Sequence, residues 1–153
     1  MKTVSETKLS HWQTFENDGI NHQNTVFGGF LLAYIDKYGG KCANKFCNGP
    51  ITTVRLTLEF LKPVFPGNKI RFDSHVNYSK KSIIEVEVNA YDENEDLLLK
   101  GYLYFAFLQE EGGIQQVPSL KLETDIDHLN EKKAEARIRS QKLLKTELRK
   151  LRQ

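Results

Sequence analysis

Apolar and polar residues alternate with a period of two in four stretches of this chain. In 51–60, Val54, Leu56, Leu58 and Phe60 fall on one side and Thr53, Arg55, Thr57 and Glu59 on the other. That pattern predicts a half-buried strand. Two prolines and a Gly-Asn pair at 63–68 end it and turn the chain. A second strand fits 69–78, with Ile70, Phe72, Val76 and Tyr78 in register, and a polar hairpin follows over 78–82. A third places Ile84, Val86, Val88 and Ala90 on one face, and an acidic turn at 92–96 leads into a fourth at 97–108. Connections this short predict antiparallel neighbours. A fainter alternation near 8–15, carrying Trp12, would complete the sheet.

Ahead of these strands the period changes. Between Val26 and Phe46 the chain carries Phe27, Phe30, Leu31, Leu32, Ala33, Tyr34, Ile35, Tyr38, Cys42 and Ala43. The first half is apolar almost all round, which predicts a buried helix. Thr25 is the expected N-cap, and Asn48-Gly49-Pro50 ends the segment. One buried helix and a run of antiparallel strands imply an α+β fold in which the sheet curls around the helix. Beyond Gln109–Gly113 the pattern breaks, 117–120 reads as an extended crossing, and from Glu131 onward a helix is expected by propensity. Its apolar stripe is thin: Ile138, Leu144, Leu148 and Leu151. The division expected is a body over 1–118 and a linker with a basic helix over 119–153.

Charge sharpens that division. The 153 residues hold 22 Lys and Arg against 20 Asp and Glu, a net of +2. Residues 129–153 carry nine of the basic residues and three of the acids, so this arm is +6 and the rest is −4. A near-neutral whole argues against a protein that coats nucleic acid. No stretch is apolar for long enough to span a membrane or to serve as a secretion signal. Cys42 and Cys47 are too few for a disulfide framework, so reduced cysteines and a cytoplasmic location are expected. The histidines (His11, His22, His75 and His128) lack metal-ligand spacing, so no metal is expected.

Between Asp18 and Glu59 the one acid is Asp36, placed in mid-helix after Tyr34-Ile35. A lone carboxylate there is unfavourable unless paired or hydrogen-bonded. It is either a structural acid satisfied by nearby hydroxyls or amides, or a general base or nucleophile in a cleft. Gly28-Gly29 at the helix start leaves first-turn N–H groups uncovered at the positive end of the helix dipole, a site for an anion or a polarised carbonyl oxygen. A polar run, Asn21-His22-Gln23-Asn24, precedes it. Asp36 lies about 10 Å along the helix from Gly29, at ~1.5 Å per residue. The loop of one chain therefore does not easily reach its own acid. A homodimer in which each loop faces the partner's helix would solve this.

The segment from Asn21 through Thr25-Val26-Phe27-Gly28-Gly29 to Asp36 resembles the signature of hotdog-fold acyl-CoA thioesterases, most closely the cytosolic acyl-CoA hydrolase type. Phe15-Glu16-Asn17-Asp18, Glu59-Phe60-Leu61-Lys62-Pro63-Val64 and Val117-Pro118 are similar as well, so the resemblance spans about residues 12–150. It implies Asp36 as the catalytic carboxylate, acting on water or attacking directly. It implies Asn21 of the opposing subunit as the group that orients water or substrate. Gly29, with Gly28, would donate N–H to the oxyanion, and Thr53 would support the acid, with Thr52 one residue away as the other choice of register. Asn24 and Phe27 would line the substrate site. Where related enzymes carry a glycine and small hydroxyl residues in a hairpin near CoA, this chain has Lys80-Lys81-Ser82. Those lysines would bind CoA phosphates or remain solvated.

The reading with most behind it is hydrolysis of acyl-CoA to a carboxylic acid and CoA, in fatty acid metabolism, with no cofactor. The resemblance implies dimers assembled as a hexamer, a trimer of dimers, with no nucleic-acid or membrane partner. The alternative is a hotdog module that binds or senses acyl-CoA without turning it over. A third role, the basic helix docking to nucleic acid, is weakened by its three interrupting acids and its lack of interleaved aromatics.

Overall fold

A computed structural model describes residues 1–16 and 19–152; the expected family match at Asn17 and Asp18 lies outside the described residues. The elements run β1 (Lys2–Thr3), α1 (Val4–Thr7), β2 (Leu9–Thr14), α2 (Gly28–Cys47), β3 (Ile51–Phe60), β4 (Lys69–Lys80), β5 (Ile83–Tyr91), β6 (Leu97–Leu108), β7 (Ile114–Gln115), β8 (Leu120–Lys121) and α3 (Asp125–Lys150). The sheet has the order β2-β4-β5-β6-β3 with β7 on the end of β6, all antiparallel. It curls around α2, which is the hotdog arrangement. The expected strands are all present, including the one around Trp12.

The core lies between α2 and the concave face of the sheet. Leu31, Ile35, Tyr38, Cys42 and Phe46 pack against Phe72, Val76, Ile84, Val86, Leu103 and Phe105, all buried. Each such side chain contributes roughly 1.5–3 kcal/mol on leaving water. Gly39 sets the approach of the helix: a Cβ there would sit 3.0 Å from Leu103 Cδ2 and 3.3 Å from Val88 Cγ2. Both cysteines are free and buried, and burial pushes the Cys42 thiol up to about 12 and Cys47 up to about 11.

Two bulges change which residues face the helix. In β3 the pairing shifts between Thr53 and Arg55, opposite Phe105 and Tyr104. Val54 is thus an extra residue, and Thr53 joins Leu56 and Leu58 on the concave side. Unbroken alternation puts Thr53 on the opposite face, and the bulge overturns that. In β4 the shift between Val76 and Tyr78 makes Asn77 the extra residue. Tyr78, expected in register with Ile70, Phe72 and Val76, pairs with Glu85 on the convex side instead.

The convex face carries α3 on a largely polar contact. Glu85, fully buried, receives Arg137 Nη2 at 2.6 Å and Arg137 Nε at 3.0 Å, the Tyr104 hydroxyl at 2.6 Å and Asn77 Nδ2 at 3.1 Å. Arg137 also lies 3.7 Å from the Tyr102 ring centre. Glu87 beside it accepts from Asn77 and Asn89 and pairs with Lys100 at 3.2 Å. Lys80 Nζ reaches Glu131 and Glu135 of α3 at 3.1 and 2.7 Å. The helix starts at Asp125, earlier than its propensity suggests, because Thr124 and Asp127 form a reciprocal capping box. Of the expected apolar stripe only Ile138 is half-buried; Leu144, Leu148 and Leu151 are exposed. At the other end of the chain, β1 pairs in parallel with β8, tying the 117–120 crossing to the N-terminus.

Candidate active site

The helix start is built by a tight loop. Asn21 Oδ1 accepts from the Gln23 and Thr25 N–H groups at 2.9 and 3.2 Å, and its Nδ2 donates to the Thr25 hydroxyl at 2.9 Å. Asn24 takes the left-handed conformation (φ 62°) that the turn requires. Thr25 is therefore spent on the loop and is not the N-cap; Phe27 stands in that position without a side-chain hydrogen bond. The N–H groups of Gly28 and Gly29 have no acceptor among the described residues, while the next two, of Phe30 and Leu31, bond back to the Phe27 carbonyl. Among the described residues this leaves two donors without an acceptor at the positive end of a 20-residue helix. Asn21 and Gly28 line one groove of about 280 Å³ together with Phe60, Lys62 and Val64.

Two turns further along α2, Asp36 is half-exposed, and the Thr53 hydroxyl donates to its Oδ1 at 2.8 Å. Of the two adjacent threonines it is Thr53 that makes this contact, because the bulge at Val54 turns it toward the helix. The structure thus brings Asp36 to Thr53 and Asn21 to Gly28, as two separate halves within one chain.

Between and around these halves the surface is apolar. α2 is not buried all round: Phe27 and Leu32 are 57% and 41% exposed, and Gly29 and Ala33 are also open. On β3, an edge strand, Val54 and Phe60 are 50% and 55% exposed. The sequence pattern that predicts burial is thus met on one side by the sheet and left uncovered on the other.

The β4–β5 hairpin is tighter than its sequence suggests, turning at 81–82. Lys81 occupies the left-handed region (φ 57°) that favours glycine, and it makes no ion pair among the described residues. Lys80 is held by two carboxylates of α3, and Ser82 is exposed. Among the described residues no three His, Cys, Asp or Glu side chains lie close enough to hold a metal ion, and no helix is long and apolar enough to cross a membrane.

The buried convex-face set of Asn77, Glu85 and Glu87 was not foreseeable as a site from β5 alone, where polar alternate positions read as solvent-facing. The one signal available was the pairing of two acids on β5 with a basic C-terminal helix.

Comparison with known proteins places the chain in context. The thioesterase superfamily profile matches residues 23–99. A Bacillus subtilis protein described as an uncharacterised acyl-CoA thioester hydrolase is 30% identical over 119 residues, covering 74% of this chain and 69% of that one. An acyl-CoA hydrolase from Staphylococcus aureus, solved with butyryl coenzyme A and coenzyme A, superposes with a TM-score of 0.89 at 29% identity, covering 99% of this chain and 96% of the other. That hydrolase has also been solved as variants in which one aspartate, one asparagine or one threonine is replaced by alanine. A hexameric acyl-CoA thioesterase shares the fold, with a TM-score of 0.86 at 23% identity, 93% of this chain and 96% of the other being covered. With the profile extending over the whole of α2 and over β3, β4 and β5, half of its length, the chain belongs to the thioesterase superfamily.

Proposed function

We propose that this protein hydrolyses acyl-CoA thioesters to a carboxylic acid and CoA, at a site completed by two copies of the chain. The observation that carries this reading is the Asp36 carboxylate, fixed by the Thr53 hydroxyl at 2.8 Å on an open, apolar stretch of helix. A half-exposed acid held in one orientation, with apolar surroundings to receive an acyl chain, suits a general base or a nucleophile. The relatives named above act in that chemistry, and the Asp, Asn and Thr altered in the Staphylococcus aureus enzyme are the residue types of Asp36, Asn21 and Thr53.

Two copies are needed because the donors and the acid stand about 10 Å apart on one helix, at ~1.5 Å per residue. Pairing α2 antiparallel with its partner across a two-fold axis sets the Gly28-Gly29 end of one chain beside the middle of the other. It also covers Phe27, Leu32, Val54 and Phe60. In this arrangement Asp36 deprotonates a water, or attacks, at the thioester carbonyl; Asn21 of the opposing copy orients the water or the substrate; Gly29, with Gly28, holds the developing oxyanion. Collapse of the tetrahedral intermediate breaks the C–S bond, and the CoA thiolate takes up a proton, on the base route the one Asp36 removed from water; on the nucleophile route a water then hydrolyses the acyl-aspartyl anhydride to release the acid and restore Asp36. Asn24, Phe27, Lys81 and Ser82 are proposed on the substrate side. Lys80 acts through α3, since its charge is already matched by Glu131 and Glu135. Further assembly of dimers into a hexamer, and a cytoplasmic location, belong to the same proposal.

Free-thiol release from a series of CoA esters, acetyl to palmitoyl, tests the reading. Turnover by the wild type is expected, with losses of roughly 10²- to 10⁴-fold in Asp36→Ala and Asn21→Ala proteins that still assemble. Tight binding of CoA esters without thiol release by the wild type would instead establish a non-catalytic binding module.

A further inference from the structure

Two aromatic rings stand against the pair of glycines at the start of α2. A Cβ on Gly28 would lie 3.3 Å from Phe60 Cζ, and one on Gly29 would lie 2.7 Å from Phe27 Cε1. Glycine at both positions is what lets the rings close on the helix start, beside N–H groups that have no acceptor among the described residues. Phe60 also lines the groove of about 280 Å³ that begins there. The floor of that groove is Val26, Leu31 and Val64, all buried, and its rim is Phe60 and Leu61, 55% and 47% exposed. The core fixes the floor, whereas the rim can change without disturbing it. The polar side chains along the groove are Asn21, Thr25 and Lys62. Asn21 and Thr25 are bonded to each other, and Lys62 is paired with Asp96 at 3.3 Å. What the groove offers a ligand is therefore apolar surface, and the charge it carries is already matched.

We infer that Phe60 sets the length of the acyl chain this protein accepts, by closing the groove to all but short chains. This role rests on the thioester chemistry proposed above, which puts the substrate carbonyl oxygen on the Gly28 and Gly29 N–H groups. From that point the carbonyl carbon carries two branches, the acyl chain and the sulfur of CoA. The CoA branch brings amides and phosphates, whose polar atoms the apolar groove would leave unpaired. The acyl branch consists of methylene groups, which gain by leaving water for such walls. It is therefore the acyl chain that enters, passing the Phe60 ring. The volume falls just short of the usual span of small-molecule sites, roughly 300–1,000 Å³. Leu31 and Val64 belong to the packed core and do not yield to a longer tail. Such a tail must displace the Phe60 ring or remain in water.

Chain-length profiles of the full-length protein test this role. Thiol release by the wild type is expected to show a higher kcat/KM for butyryl-CoA than for decanoyl-CoA. Phe60→Ala, which opens the rim, should raise the decanoyl-to-butyryl ratio roughly tenfold or more. Leu61→Trp, which narrows the rim at an exposed position, should lower it. The partner copy covers Phe60 in the arrangement proposed above, so light scattering is used to check the assembly of each variant. Calorimetric affinities for the non-hydrolysable thioethers S-butyl-CoA and S-decyl-CoA should shift in the same directions. A wild type that prefers decanoyl-CoA, or ratios unchanged in both assembled variants, overturns the role of Phe60. Should Phe60→Ala fail to assemble, an unchanged ratio in Leu61→Trp overturns it by itself. An absence of thiol release, with thioether ratios that still shift, overturns only the proposed hydrolysis, because those affinities do not depend on turnover.

Discussion

Thr53 holds Asp36 with a single hydroxyl, and that bond is the contact most open to a clean test. A hydrogen bond to a charged group contributes about 1.5–3 kcal/mol. Its loss in Thr53→Val, which keeps the shape and the β-branch, is therefore expected to lower kcat roughly 10- to 100-fold. Thr53→Ser, which keeps the donor, should recover most of it, with KM little changed in both. Equal kcat in the valine and serine variants would remove Thr53 from the machinery. Asp36 stood out as a candidate in the sequence because no other acid occurs for many residues on either side of it. Thr53 was not separable from Thr52, because strict alternation carries no signal for a bulge. Only the pairing of Thr53 with Phe105 and Arg55 with Tyr104 shows that the phase of the strand has slipped.

At the scale of elements, α3 is the piece whose placement the pattern misses. Its apolar residues are too few to dock it, and what holds it is Glu85, a fully buried acid forked by Arg137. Removing one partner of such a pair strands a buried charge and costs about 3–5 kcal/mol. Arg137→Ala is thus expected to lower the unfolding free energy in urea by about that amount, while Glu85→Leu/Arg137→Met should recover much of the loss. If Arg137→Ala unfolds like the wild type, the pair does not hold the helix. The neighbouring groups set a pH dependence. Burial pushes His75 below its ordinary value despite the Glu87 charge, so the unfolded chain binds that proton more readily and stability falls as pH drops below about 6.5. Burial alone would raise Glu87, but hydrogen bonds from Asn77 and Asn89 and the charges of His75 and Lys100 bring it lower. Its contribution is present above about pH 4.5 and is lost as the pH falls through its lowered value. Melting temperature should decline from pH 7 to about pH 3, and Glu87→Gln should flatten the part of that curve below about pH 4.5. A flat wild-type profile over this range would contradict both assignments. These acids were hidden because a polar residue at every second position of β5 also describes an ordinary solvent-facing strand. Nothing local in a strand reveals that a helix will cover it through Arg137, 52 residues beyond Glu85.

At the scale of the whole molecule, the open face of α2 and the β3 edge lead to the assembly. The sequence made the helix look buried all round, and one chain buries only part of it; Phe27 at its start and Leu32 one turn before Asp36 remain exposed. In the assembly proposed above, that uncovered half of the pattern is met by a second copy, whereas the chain's own sheet meets only the other half. If each site joins Asp36 of one copy to Asn21 of the other, two inactive proteins can restore each other. Asp36→Ala and Asn21→Ala, mixed, dissociated and reassembled at equal amounts, give half their dimers as hybrids. Each hybrid holds one site with both substitutions and one with neither, so about a quarter of wild-type thiol release should return. Were both residues to act within one chain, every chain in the hybrid would still carry a defect and no activity would return. Leu32→Glu supplies the companion measurement: a charge buried at this interface should yield a monomer by light scattering that stays folded and releases no thiol. Recovery near a quarter in the mixture, with an inactive Leu32→Glu monomer, would locate the chemistry between the copies.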